Sequence, residues 1–155
     1  MPLSEEAAAF ADAHRVARLA TADATGAPHV IPFCYARDND RFYFVIDDKP
    51  KRGAPLQLKR MRNLAINPKV AFVIDDYDDD WQRLAYLLVR GHAIVVDVGE
   101  EYDRILAALR VRYPQYRAMP LAFATHPMVR ITVQDAHLWR SRASVVSRKS
   151  SAATT

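Results

Sequence analysis

The chain has 155 residues, half of them hydrophobic, which is enough for one domain with a substantial buried core. Its formal net charge of +4 is modest and its 22 lysines and arginines are spread along the chain, so the charge pattern gives no support for a nucleic-acid partner. The only cysteine, Cys34, excludes an intramolecular disulfide and a cysteine-based zinc cluster, and it favours a reducing, cytoplasmic location.

The first third of the sequence predicts a pair of β-hairpins. Turn-forming residues separate its extended runs, with Gly26 in the first turn and the Asp-Asn-Asp sequence of residues 38–40 in the second. The runs are residues 15–21, 29–36 and 41–46. Strands joined by such short turns are antiparallel, so we expect an antiparallel sheet.

Pro32 distinguishes the second of these runs from the others. A proline has no backbone N–H to donate to a neighbouring strand, so the strand must be unpaired at this point, be bulged, or face something other than a strand. Because side chains alternate along a strand, Ile31 and Phe33 share the face opposite to Pro32.

The second half of the sequence predicts three further strands. Residues 69–74 are continuously apolar, which indicates a central strand buried on both faces. Residues 84–96 form a longer run, and the glycine inside it, Gly91, predicts a bulge or bend that lets a sheet curl. A last, bent strand is predicted for residues 128–140.

Helical spacing of apolar residues predicts two to three helices. They begin near Ser4, Pro55 and Glu100, and Pro68 and Pro114 follow the ends of the second and third. Together with the six antiparallel strands, these segments predict a mainly β protein that forms a small barrel.

The two ends of the chain carry little structural signal. We expect residues 1–142 to form one domain and residues 143–155, which are small, polar and unpatterned, to be a disordered tail. The N-terminus lacks a signal-peptide pattern and no apolar run approaches the roughly 18 residues of a membrane span, so no membrane partner is expected.

A basic loop follows the third predicted strand. In an extended segment Lys49 and Lys51 point to one side, Pro50 stiffens the backbone between them, and Arg52 points to the other side. The helix that begins at Pro55 has no capping side chain before it, so its first N–H groups remain available to an anion. The loop is therefore a candidate phosphate site, while a solvated basic turn would explain the same residues.

The sequence identifies no catalytic residue and predicts no metal site. Cys34 lies in mid-strand without a nearby partner, so it is expected to be a packing residue. The histidines lack the spacing of a metal site, and the acidic run of residues 75–80 lacks the glycine and late glutamate of a calcium loop. A lone histidine is able to ligate a haem iron, but nothing selects one of the five.

The order and spacing of motifs in the first half of the chain resemble those of a known family. The motifs are Ala17-Arg-Leu-Ala-Thr21, Pro28-His-Val-Ile-Pro-Phe-Cys-Tyr35, Asp48-Lys-Pro-Lys-Arg52 and Leu64-Ala-Ile-Asn-Pro68. The chain is similar to the split β-barrel flavoproteins related to pyridoxamine 5′-phosphate oxidase, and most similar to their branch of F-420 (deazaflavin)-dependent oxidoreductases. The likeness covers about residues 4–142 and implies a six-stranded antiparallel split β-barrel.

The resemblance also implies a cofactor and the seat of its phosphate. Proteins of this family bind a flavin with its phosphate on the basic loop after the third strand. By position, Lys49, Lys51 and Arg52 take this role. The implied cofactor is FMN or coenzyme F-420.

The flavin ring is implied to lie along the second strand. Its contacts would come from Ile31, Pro32 and Phe33. This arrangement would explain why a proline occurs in the second strand, because a cofactor rather than a neighbouring strand would face it.

The resemblance finally implies a homodimer and a redox activity. The dimer interface is expected to include the face of the second strand and residues 84–96. As an enzyme, the protein would transfer a hydride between the cofactor and a small-molecule substrate. Pyridoxamine oxidation is not expected, because the substrate residues and the C-terminal dimer segment of the true oxidase are not found. The alternative is a non-catalytic protein that binds or carries flavin or haem.

Overall fold

The structure is a computed structural model that describes residues 3–47 and 54–141. The strands of this part of the chain are β1 (Val16–Ala22), β2 (Pro28–Cys34), β3 (Ala36–Asp38), β4 (Arg41–Val45), β5 (Lys69–Asp76), β6 (Ala85–Val95) and β7 (Met128–Arg140). Its α-helices are α1 (Glu5–Asp12), α2 (Lys59–Ile66) and α3 (Glu100–Arg112). Among these helices, none is long and apolar enough to cross a membrane. The predicted tail, residues 143–155, lies outside the described residues.

The strands form one antiparallel sheet that curls into a split barrel. Their order is β2-β1-β5-β6-β7-β4-β3. The two edge strands, β2 and β3, are separated in the chain by one residue, Tyr35. The opposite edges must therefore approach each other, which bends the sheet. The predicted mainly β split-barrel class is confirmed, and the described sheet has seven strands instead of six because the predicted second strand is divided at Tyr35.

Hydrogen bonds from Tyr113 stabilise this division. The backbone N–H of Tyr35 donates to the Tyr113 hydroxyl over 3.0 Å, and that hydroxyl lies 2.9 Å from the Tyr35 carbonyl oxygen. The side chain of Tyr35 is fully buried, and its own hydroxyl donates to the carbonyl of Ala11 at the end of α1 over 2.5 Å. The hydroxyl of Tyr113 thus bonds the backbone groups of Tyr35 that a neighbouring strand would otherwise bond.

A bulge between β6 and β7 adds to the curvature, as the glycine in the predicted strand indicated. The pairing of Arg90 with Asp135 is followed by that of Gly91 with Val133, so Gln134 is the extra residue. A side chain at Gly91 would bring its Cβ within 2.4 Å of the carbonyl oxygen of Thr132. The close approach of two backbones therefore requires glycine here.

The strand that is buried on both faces is β4, and not β5 as its apolar run predicted. In β5, Val70 and Phe72 are buried, while Ala71 and Val73 on the opposite face are half-buried. In β4, Phe42 to Val45 are all buried, because the barrel interior covers one face and α3 covers the other.

Two clusters of buried side chains follow from this arrangement. The barrel core lies inside the curled sheet and includes Phe33, Phe42, Phe44, Phe72 and Leu87. The helix core lies between the sheet and α3 and includes Tyr43, Val45, Tyr102, Leu109, Tyr113, Tyr116 and Met128. Because side chains alternate along β4, this strand contributes to both cores.

Candidate functional site

A pocket of about 360 Å³ opens beside the edge strand β2, where the two cores meet. Its volume lies within the range of small-molecule sites. The described residues that line this main pocket are Val16, Ile31, Pro32, Phe33, Cys34, Phe44, Val45, Asp47, Arg60 and Tyr116. Most of the lining is apolar, and three polar or charged side chains are added to it.

The apolar wall of the main pocket is formed by residues of β2. Ile31, Pro32 and Phe33, the three residues predicted to contact a flavin ring, are brought together here. The ring of Phe33 is fixed by edge contacts with Phe44 at 5.3 Å and Phe72 at 5.5 Å between centroids. Pro32 pairs with Arg18 on one side, and since β2 is an edge strand, no strand of the described sheet lies on its other side.

The polar end of the main pocket is an Asp–Tyr pair. Asp47 follows β4, and Tyr116 closes the short 3₁₀ turn Pro114–Tyr116 after α3. The Tyr116 hydroxyl donates a hydrogen bond to Oδ2 of Asp47. Both residues are buried, with 8% of Asp47 and 4% of Tyr116 exposed. The buried carboxylate of Asp47, which accepts this hydrogen bond, is a polar group with a defined position in the pocket.

The environment keeps Tyr116 protonated at neutral pH. Burial raises the pKa of its hydroxyl well above the ordinary value, and the hydrogen bond to the Asp47 carboxylate raises it further. Tyr116 therefore acts as a hydrogen-bond donor to Asp47, and it is unsuited to release a proton to a ligand.

Arg60, from the first turn of α2, adds a positive charge to the same pocket. Burial lowers the pKa of its guanidinium, while the negative charge of Asp47 raises it. An arginine remains charged under these conditions. The two opposite charges therefore face one apolar cavity, in which a ligand would be shielded from water.

The structure describes only some of the predicted site residues. Lys49, Lys51 and Arg52, the predicted phosphate seat, lie outside the described residues. The chain enters that segment directly after Asp47, which lines the main pocket.

Sequence reasoning did not identify the polar end of the pocket. Tyr116 lies just after the third predicted helix, and no local pattern connects it with Asp47, which is 69 positions away. Cys34, which was expected to pack, does pack against the helix core, and it also lines the pocket.

A second cavity, the apolar groove, has a volume of about 530 Å³. The described residues that line it are Ala54, Pro55, Leu56, Val95, Phe123, Ala124, Thr125 and Pro127. Leu56 and Val95 are 61% and 47% exposed. Since none of these lining residues is charged or titratable, the groove offers a contact surface rather than a reaction site.

The acidic run of residues 75–80, which begins at the end of β5, forms contacts within the protein. Asp75 receives a hydrogen bond from Arg18 over 2.9 Å, and the ring of His14 lies 2.6 Å from Asp76. Asp80 caps the 3₁₀ turn that follows by accepting from the N–H of Gln82 over 3.1 Å. These contacts give three of the run's carboxylates structural roles.

Comparisons with known proteins agree on one family. The family model described as pyridoxamine 5′-phosphate oxidase matches residues 3–140 of the chain. A 5a,11a-dehydrotetracycline/5a,11a-dehydrooxytetracycline reductase from Streptomyces rimosus is 33% identical over 100 residues, which are 64% of this chain and 68% of that protein.

Solved structures show that the same fold occurs in proteins with different ligands. A heme-binding protein from Mycobacterium smegmatis superposes with a TM-score of 0.69 at 20% identity, over 90% of this chain and 54% of that one. A FAD-binding protein from Mesorhizobium loti gives a TM-score of 0.63 at 24% identity, over 86% of this chain and 92% of that one. The chain therefore spans about half the length of the heme-binding protein. At these identities the likeness establishes the fold and does not decide between the ligands.

Proposed function

Because the chain belongs to the pyridoxamine 5′-phosphate oxidase family, an oxidoreductase-type family, we propose that it is a flavin- or deazaflavin-dependent oxidoreductase. It transfers a hydride between the bound cofactor and a small organic molecule. The observation that carries this proposal is the main pocket, whose lining combines apolar residues of an edge strand with the charged residues Asp47 and Arg60.

The apolar wall suits the flat face of a flavin ring. Ile31 and Phe33 offer apolar surface, and Pro32 leaves the outer edge of β2 without a backbone donor at this position. A planar ring system packs against such a surface without leaving a buried N–H group unsatisfied. These three residues are proposed to hold the ring and to exclude water from one of its faces.

The cofactor phosphate is proposed to bind Lys49, Lys51 and Arg52. These residues lie two to five positions after Asp47 in the chain, and Asp47 lines the main pocket. Cationic side chains next to a ring site match the charge of a phosphorylated cofactor. FMN and coenzyme F-420 both carry such a phosphate, and both remain candidates.

The bound cofactor supplies the redox chemistry, and the protein positions it. The Asp47–Tyr116 pair supplies hydrogen-bonding groups at one end of the pocket, and Arg60 supplies a fixed positive charge. The related Streptomyces reductase supports a reductive direction for the reaction. A cytoplasmic protein with one cysteine fits this chemistry, because reduced cofactors are available there.

Haem binding is the second candidate, and the main pocket argues against it. No histidine is among the described residues that line this pocket. His126, which is buried, lies elsewhere, with its Nδ1 3.2 Å from the backbone nitrogen of Ala122. An absorbance spectrum of the purified protein separates the two candidates, because a Soret band indicates haem and a band that bleaches on reduction indicates flavin.

A homodimer is also proposed, with the site at or near the interface between the subunits. Ile94 and Val95 at the end of β6 and Val30 on β2 are exposed apolar residues of the two segments predicted for the interface. Exposed apolar residues of this kind are consistent with a subunit contact. Sedimentation at micromolar concentration tests the dimer, and a clean monomer that binds flavin stoichiometrically would contradict a shared site.

The test of the proposed function is a fluorescence titration with FMN and with F-420. Loss of one charge-assisted hydrogen bond costs about 1.5–3 kcal/mol, so Lys51→Ala should bind the cofactor roughly ten- to a hundredfold more weakly than wild type. The matched control is Lys69→Ala, because Lys69 is an exposed lysine at the start of β5 and does not line the main pocket.

Three results decide the proposal. Binding that is weakened by Lys51→Ala and unchanged by Lys69→Ala supports a phosphate seat on the loop. Equal affinities for all three proteins would indicate that the loop is a solvated basic turn and not a phosphate site. The absence of binding by wild type would contradict the flavin function itself.

A further inference from the structure

The main pocket is lined by two charges of opposite sign, the buried Asp47 and the half-buried Arg60. Arg60 and Asp47 line the same cavity, on α2 and after β4 respectively. The described residues form no hydrogen bond with the Arg60 guanidinium, whose link to Asp47 is electrostatic. A charge in such a position is able to act on whatever fills the cavity.

The carboxylate of Asp47 is held in its place by Tyr116. The hydroxyl of Tyr116 donates to Oδ2 of Asp47, and the tyrosine ring is itself fixed by a contact of 5.7 Å with the ring of Tyr113. The turn after α3 therefore determines where the negative charge lies relative to the cavity. This makes Tyr116 a positioning residue, which acts on the ligand through Asp47.

We propose that Arg60 and Asp47 tune the reduction potential of the cofactor in opposite directions, with Tyr116 positioning Asp47. This inference rests on the proposed function, because it requires a flavin in the main pocket. Charge near the ring is one of the ways in which a protein changes the electronics of a flavin.

The two charges have opposite expected effects because reduction makes the ring more negative. Above neutral pH the reduced ring of FMN is an anion, whereas its oxidised ring is neutral. Arg60 therefore stabilises the reduced form more than the oxidised form, which raises the potential. Asp47 destabilises the reduced form and lowers the potential. Since the cavity is largely apolar, both effects are screened less than they would be in water.

The experiment measures the potential of bound FMN at mildly alkaline pH. If wild type binds F-420 and not FMN, the inference fails while the proposed function stands, because the oxidised ring of F-420 already carries a negative charge at that pH. Arg60→Gln should reduce the preference for the reduced form about tenfold, which is about 30 mV downward for a two-electron couple. Asp47→Asn should shift the potential upward by a similar amount. Tyr116→Phe should cause a smaller downward shift, since the carboxylate loses a donor, and no further shift in an Asp47→Asn background.

The matched control is Arg62→Gln, which removes the same charge from the same helix. Arg62 is exposed and does not line the main pocket. Its loss should therefore change the preference for the reduced form of the cofactor less than twofold. Opposite signs for Arg60→Gln and Asp47→Asn cannot arise from a general loss of structure, which would move both in one direction.

Three results of this measurement would overturn the inference: shifts of the same sign, shifts below twofold, or an equal shift in Arg62→Gln. In each of these cases wild type still binds flavin, so the proposed function stands. If wild type binds neither FMN nor F-420, the proposed function fails, and the inference fails with it.

Discussion

The barrel core and the helix core share the strand β4 but are held together by different interactions. In the barrel core, phenylalanine rings meet edge to face, as Phe42 and Phe72 do with centroids 4.8 Å apart. In the helix core, the large residues are tyrosines, and their hydroxyl groups reach specific partners: Tyr43 donates to Glu101 and Tyr102 to the carbonyl of His126, each over 2.7 Å. Apolar burial thus shapes the barrel, whereas hydrogen bonds position α3.

The difference explains where the main pocket lies. Phe33 and Phe44 bring the apolar surface of the barrel core to it, and Tyr116 brings a hydroxyl from the helix core. A site that needs both an apolar wall and fixed polar groups is obtained where the two cores meet. The comparison predicts that substitutions in the barrel core mainly change stability, and that loss of tyrosine hydroxyl groups has smaller and more local effects.

The largest effect is expected from Phe72→Ala. Phe72 is 1% exposed and contacts both Phe33 and Phe42, so truncation leaves a cavity that the curled sheet cannot close. The free energy of unfolding should fall by about 3–5 kcal/mol in urea denaturation. Val111→Ala, at a residue that is 77% exposed, should change it by less than about 0.5 kcal/mol. Equal losses in the two variants would contradict the importance of the barrel core.

A smaller loss is expected when the bulge of the barrel is overfilled. In Gly91→Ala the new Cβ would meet the Thr132 carbonyl at 2.4 Å, and a backbone atom cannot move away without disturbing the pairing of β6 with β7. A loss of about 1–3 kcal/mol, measured in the same way, is therefore predicted. In Gly26→Ala no atom lies within 4 Å of the new Cβ, so only the positive φ of 85° is strained. A neutral Gly91→Ala would show that the strands can separate at the bulge.

The helix core should respond to removal of one hydroxyl group. Tyr102→Phe keeps the ring and removes the buried hydrogen bond that the hydroxyl donates to the carbonyl of His126, which should cost about 1–3 kcal/mol. Tyr86→Phe is a suitable control, because Tyr86 is half-buried and stacks on Trp139 through its ring at 5.5 Å. If both substitutions were neutral, the helix core would be held by burial alone, and the contrast with the barrel core would disappear.

The smallest effect concerns the β1–β2 turn, which belongs to neither core. Hydrogen bonds from the Thr25 side chain and from the N–H groups of Ala27 and Thr25 lower the pKa of Asp23 from 3.8 to about 2. Because the folded-state pKa is the lower one, this stabilisation is present above pH 3.8 and is lost as the pH falls through about 2. An NMR titration of the Asp23 carboxyl group should give a midpoint near 2. Thr25→Val should raise the midpoint, and an unchanged midpoint would contradict the assigned cause.

The sequence predicted features whose cause is local. Pro32 indicated a strand without a second neighbour, and β2 is an edge strand. Gly91 indicated a bulge, and the register shifts there. Proline lacks a backbone donor and glycine lacks a side chain at its own position, so in each case one residue carries the information.

The features that sequence reasoning missed depend on distant partners. The division of the second strand at Tyr35 is supported by Tyr113, and the burial of β4 on both faces requires α3 to cover it. The polar end of the main pocket joins Asp47 to Tyr116, two residues that no local pattern relates. Hydrophobic periodicity reports which face of an element is buried, but it does not name the element that buries it.

The most direct test of a flavin site in the main pocket is an NMR titration of the labelled protein with FMN and with F-420. The account predicts that the backbone amide signals of Phe33, Cys34 and Tyr116 shift most, because these residues line that pocket. Signals of Leu56, Phe123 and Thr125, which line the apolar groove, should shift much less. Shifts concentrated on the groove residues, or no shifts with either cofactor, would contradict the account.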